Sequence, residues 1–180
     1  MLEVSVSNLR HVLCALLLIG RLGDVGTTYL ATPTLALEAN PLVRRFGWKY
    51  AAFTIALCLF AYLSPQVAVT LLITSLFVSA SNAAKVWVMR TMGEQAYLDF
   101  CMDLARRSRL SRAVLGVAAS SFFIVLAGGV ILFFYSSPDN DWGFWIGMGV
   151  VLYGVAMGLY GTHWMVRLFR KAGPPLGGTE

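Results

Sequence analysis

AVLGVAASSFFIVLAGGVILFFY, residues 113–135, holds no charged side chain over twenty-three positions. A bilayer core about 30 Å thick takes about 20 apolar residues as helix, and lipid offers no water to an irregular backbone, so this run is expected to be a membrane-crossing α-helix. A barrel is disfavoured, because its segments of about 10 residues alternate with period two and this one does not. The rest of the chain agrees. Of 180 residues, 58% are hydrophobic and 13% charged, and the mean hydropathy is +0.70, more apolar surface than a soluble domain of this size buries.

Working outward, a second run covers 142–169, with Trp142, Trp145, Tyr160 and Trp164 near its ends as interfacial aromatics. Upstream, 67–89 is joined to 48–63 by the tight Ser64-Pro65-Gln66 connection, which implies an antiparallel helical hairpin. The first run, 9–31, carries Arg21 and Asp24 well inside it. Its stretch Val12–Gly20 has the look of a signal peptide, but Arg21, Gly23 and Asp24 stand where a neutral cleavage region belongs, so it is expected to stay attached. The fold class is therefore all-α: a polytopic transmembrane helical bundle with five spans, forming one domain over 1–171. The alternative has four spans plus a re-entrant N-terminal segment, residues 1–40 dipping in and returning. The end of the chain, 172–180, with Gly-Pro-Pro and Gly-Gly, is expected to be a flexible tail.

With five alternating spans, Arg44, Arg45, Lys49, Arg90, Arg106, Arg107, Arg109, Arg112, Arg167, Arg170 and Lys171 fall on one side; Arg10 falls on the other, with Asp139 and Asp141. Eleven cations against one put the amino terminus outside and the carboxyl terminus in the cytoplasm, in the cytoplasmic (inner) membrane of a prokaryote. The net charge of +5 thus marks topology rather than nucleic acid, and no nucleic-acid partner is expected. Residues 94–107 place Tyr97, Leu98, Cys101, Leu104 and Ala105 at helical spacing ahead of a basic cluster, an amphipathic helix on the cytoplasmic face. Cys14, Cys58 and Cys101 are too few and too scattered for a disulfide framework or a metal site.

Ionisable residues inside a membrane are costly, so they mark the place to look for function. Arg21, Asp24 and Thr28 share one helical face at i, i+3, i+7, either as an internal ion pair or as part of a binding site. Gly20, Gly23 and Gly26 beside them allow another helix to approach closely. In the following loop Asn40 is placed to cap a helix beginning at Pro41, while Glu38, just before that helix, has no comparable explanation. Ser75, Ser79 and Asn82 form a polar stripe on the third run, with Lys85 nearby as a partner for Asp24 or Glu38 if it points inward, or as a snorkelling side chain if it does not. On the last run, Gly143, Gly147, Gly154, Gly158 and Gly161 read as a close helix contact within or between chains, and Tyr160, His163 and Arg167 share a face. Arg21, Asp24, Thr28, Glu38, Asn40, Asn82, Lys85 and His163 all fall in the cytoplasmic half, so one polar pocket open to the cytoplasm is expected to contain them.

The string GDVGTTYL, residues 23–30, followed after a short gap by LEANPLV, residues 37–43, resembles an uncharacterised family of small bacterial and archaeal membrane proteins. That family is marked by an intramembrane Asp, a Thr a few residues on and a Glu-x-Asn-Pro turn. The resemblance covers about residues 20–90 and carries no activity with it. It implies that Asp24, Thr28, Glu38, Asn40 and Pro41 form one constellation, and that the basic helix and the last two spans extend beyond the family.

No GxSxG, HExxH, Walker loop or Cys/His cluster occurs in the sequence. His11 and His163 fall on opposite sides, which removes haem ligation, and no cofactor is expected. The function the sequence favours is an accessory or scaffold subunit of a larger membrane complex, with a protein partner or a homo-oligomer held through the glycine-rich faces. One alternative is a small carrier or channel binding an ion or polar solute in the pocket. The other is a lipid-modifying enzyme with Asp24 or Glu38 as base or as ligands to a divalent ion. Whether the chain is an enzyme stays open, with the balance against.

Overall fold

The computed structural model describes residues 6–135 and 141–173, which form helices joined by short loops, with no strand among them. Asp139 and most of the expected tail lie outside the described residues. The elements are α1 (Val6–Ala31), α2 (Pro41–Phe46), α3 (Trp48–Phe53), a 3₁₀ segment (Thr54–Leu59), α4 (Phe60–Leu63), α5 (Pro65–Met92), α6 (Glu94–Arg107), α7 (Leu110–Tyr135) and α8 (Trp142–Ala172). Four helices are long and apolar enough to cross a membrane: Asn8–Ala31, Pro65–Met92, Leu110–Tyr135 and Trp142–Ala172. The first segment is one uninterrupted helix. The short segment is instead Trp48–Leu63, broken by its 3₁₀ middle.

Side-chain contacts give the helix directions. Gly20 meets Leu72, Gly23 meets Ser79, and Thr28 bonds Asn82, so α1 and α5 run parallel. Thr70 bonds the Trp145 carbonyl and Thr74 that of Gly149, making α8 parallel to both. Helix α7 returns antiparallel to α8, with Gly128 against Gly147 and Val117 against Gly161. The segment 48–63 runs back along α1 from end to end: the Trp48 indole donates to the Pro33 carbonyl at 3.0 Å, Thr54 meets Arg21, and Tyr62 meets His11 at 2.9 Å. A six-residue 3₁₀ stretch rises about 2.0 Å per residue against 1.5 Å for α-helix, so this short piece reaches about 27 Å.

Local chemistry sets the boundaries. Asn40 accepts from the Leu42 N–H at 2.9 Å ahead of Pro41, as its position suggests. Ser64 caps α5 through the Val67 N–H at 3.3 Å, with Pro65 in the first turn, which makes the corner from α4 into α5. Gly93, at φ +84°, takes the left-handed conformation that turns α5 into α6.

The bundle is apolar outside and polar at mid-height. On α7 only Gly128 is buried, while Phe133 is 80% and Leu115 69% exposed. Inside, one apolar cluster joins Leu13, Leu17, Cys58, Ala61, Ala68 and Val69. A second, at the basic end, joins Ala31, Leu37, Met89, Leu98, Cys101, Ala105, Leu168 and Ala172. The amphipathic face of α6 is thus turned onto the bundle: Leu98, Cys101 and Ala105 are buried, while Leu104 is exposed.

Candidate functional site

Between the two clusters lies a cavity of about 420 Å³. Arg21, Asp24, Thr28, Glu38, Asn40, Asn82 and Lys85 all line it, contributed by α1, the first loop and α5. Trp48, Tyr50 and Thr54 supply another wall, and Tyr153 and Tyr160 of α8 a further one. A pocket of this size suits a small organic solute.

Arg21 is the best-connected side chain there. It donates to Asp24 Oδ2 at 2.7 Å and to Ser75 Oγ at 3.3 Å, and to the Thr54 hydroxyl, which in turn donates to the Ala51 carbonyl at 2.5 Å. Both members of the ion pair are about 15% exposed (14% and 15%), so each is the other's main compensation for lost hydration. The Asn82 amide reaches Thr28 Oγ1 at 2.9 Å across the α1–α5 contact.

Glu38 accepts the Asn40 N–H at 2.7 Å. Burial pushes its carboxyl above the usual range, and the nearby Asp24 charge adds to that against the opposing N–H contacts of Asn40 and Ala39. Lys85 lines the cavity without an ion pair: the described residues form salt bridges only at Arg21–Asp24 and Arg107–Asp103. It does not pair with Asp24, which Arg21 already engages.

His163 stands apart. It is exposed and does not line the cavity, which Tyr160 and Gly161 reach instead. Helix α8 is packed on two sides, through Gly149 against Ile73 and through Gly147 and Gly154 against α7, leaving a narrow sector for the cavity. Arg167, expected on the face of His163, donates to the Ala36 carbonyl at 2.9 Å.

One carboxylate was not singled out by sequence. Glu94, at the start of α6, accepts from the Thr32 hydroxyl, from the Thr34 N–H at 3.2 Å and from the Ala36 N–H at 3.0 Å. It thereby fixes the loop that carries Glu38. Burial alone would raise its pKa; the bonds from Thr32, Thr34 and Ala36 outweigh burial and hold it below the usual carboxylate range. Its only sequence signal was an acid in the first turn of a helix.

Among the described residues no group of three or more His, Cys, Asp or Glu gathers to hold a metal, so Asp24 and Glu38 are not joined by a third such ligand. The site and fold together define an α-helical membrane protein with a polar internal cavity. No family model, curated protein or solved structure matches the chain.

Proposed function

We propose that this chain is a small carrier of a prokaryotic cytoplasmic membrane, crossing it five times with the amino terminus outside, and that it binds a polar solute in the cavity between its two apolar clusters, reached from the cytoplasm. The observation that carries this is the convergence of Arg21, Asp24, Thr28, Glu38, Asn40, Asn82 and Lys85 on one space of about 420 Å³. Five crossings are supported by the parallel course of α1 and α5, which obliges the chain between them to return across the same thickness, and residues 48–63 do so alongside α1. The Asp-Thr and Glu-x-Asn-Pro elements of the family resemblance belong to this same proposal.

A carrier is favoured over an open channel because Leu13, Leu17, Cys58, Ala61, Ala68 and Val69 close the bundle beyond the cavity. The 3₁₀ segment Thr54–Leu59 separates the two and is the wall suited to move. Of the glycine faces that a scaffold would use, Gly20 and Gly23 meet α5 and Gly147, Gly154 and Gly158 meet α7 of the same chain, while Gly26 of α1 and exposed Phe100 and Leu104 of α6 stay open to a partner. The enzyme reading has Asp24 already engaged by Arg21.

The test is a cysteine at Ser81, which lines the cavity, in a chain whose Cys14, Cys58 and Cys101 are changed to Ala. A membrane-impermeant maleimide labels Ser81→Cys in inside-out vesicles and leaves it unlabelled in right-side-out ones. Labelling from the outside, or exclusion of a permeant maleimide as well, contradicts a cytoplasm-facing cavity.

A further inference from the structure

The ionisable groups of the cavity fall into two sets. Arg21 and Asp24 are paired at 2.7 Å and neutralise each other. Glu38 and Lys85 remain, one anion and one cation, neither of them in an ion pair among the described residues. Glu38 accepts the Asn40 N–H at 2.7 Å through Oε1, with the Ala39 N–H also bearing on the carboxylate. Lys85 stands one helical turn from Ser81 on the same face of α5, and both line the cavity. Trp48, Tyr50 and Tyr160 add aromatic rings to the walls, which favour an alkylammonium group.

Glu38 is half-buried and Lys85 is exposed where it borders the cavity, so a neutral solute would strip water from Glu38 without returning a charge and would leave Lys85 unused. A simple cation would answer Glu38 alone, and a simple anion would answer Lys85 alone while leaving the half-buried Glu38 uncompensated, which is the costlier arrangement. A ligand with both signs answers both. We propose that the cavity takes a zwitterion, its ammonium at Glu38 and its acid group at Lys85 and Ser81. This rests on the proposal that the cavity is a binding site. The same chemistry occurs in a free amino acid or phosphoamine and in the ethanolamine headgroup of a lipid.

The test uses the full chain in phosphatidylglycerol nanodiscs, with phosphoethanolamine and L-serine as whole probes and ethanolamine and inorganic phosphate as halves. At least one whole probe, or phosphatidylethanolamine added to the nanodisc and retained in the native mass spectrum, binds at least about tenfold more tightly than the halves. Lys85→Met and Glu38→Gln each remove that advantage, Lys85→Met leaving ethanolamine binding intact and Glu38→Gln leaving phosphate binding intact. Retention of the lipid assigns the headgroup as the source, and binding of the soluble probes alone assigns a free solute; either supports the zwitterion. Halves that bind as well as the wholes, or no binding by any whole probe or lipid, overturn it. Binding that is unchanged in both variants lies outside the cavity and overturns the binding-site proposal itself.

Discussion

Glu38, within the first loop, and Glu94, which holds that loop from α6, respond to acid in opposite senses. The Glu38 carboxyl is raised by burial, so its ionisation opposes folding: stability falls as pH rises through the unfolded value, about 4.3, and levels off above the raised folded value. Glu94 is held low by the bonds from Thr32, Thr34 and Ala36 that outweigh its burial, so its contribution is present above about pH 4.3 and is lost as pH falls through the lower folded value. Melting curves in detergent from acid to neutral pH separate the two. Glu94→Gln melts below wild type at neutral pH, by about 1.5 kcal/mol or roughly 3–6 °C, and the gap closes in acid. Glu38→Gln melts at or above wild type at neutral pH, and its gap also closes in acid. A Glu38→Gln protein destabilised equally at every pH would contradict a carboxylate kept for binding rather than for stability. Arg21, Asp24 and Thr28 were legible because helical spacing puts them on one face, and Asn82 and Lys85 because a polar stripe in an apolar run needs a reason. Thr54 and Glu94 were not, because their partners, Arg21 and the 32–36 loop, are distant in sequence and only tertiary packing joins them. His163 was misplaced because a shared helical face does not say which neighbour that face meets.

At the scale of elements, the α7–α8 pair is held by glycines at backbone distance. A Cβ at Gly147 would stand 2.9 Å from the Gly128 carbonyl oxygen and 2.9 Å from Leu132 Cγ, whereas one at Gly26 meets nothing within 4 Å. Gly147→Ala should therefore cost about 1–3 kcal/mol in thermal unfolding, while Gly26→Ala is neutral or stabilising by up to about 1 kcal/mol. Equal effects at the two positions would show that close helix approach is not what holds the pair. The glycine spacing on the last run announced a tight contact but left its partner open; the structure spends it on α7 within the chain, with Gly149 against α5. The lengths of α1, α5, α7 and α8 followed from hydropathy, each helix starting at or slightly before the expected boundary. The break in 48–63 had no sequence signal, since neither Pro nor Gly occurs there. It coincides with the Thr54 hydroxyl donating back to the Ala51 carbonyl while accepting from Arg21, a side chain competing with the helix for backbone groups.

For the whole molecule, α1, α5 and α8 run one way and 48–63 and α7 the other, so their polar ends gather at one level. Five alternating spans would sort the cations eleven to one, which is the ground of the proposed topology. The cavity between two apolar clusters was foreseen only as a requirement of burying charge, without its volume or its aromatic walls. Native mass spectrometry of the 19.7 kDa chain, extracted from its own membrane in mild detergent, tests its occupancy most directly. Wild type should carry one small polar molecule per chain, lost from the Glu38→Gln/Lys85→Met double variant with folding retained. A chain with an empty cavity and a foreign subunit bound in stoichiometric amount would contradict the carrier and restore the accessory subunit.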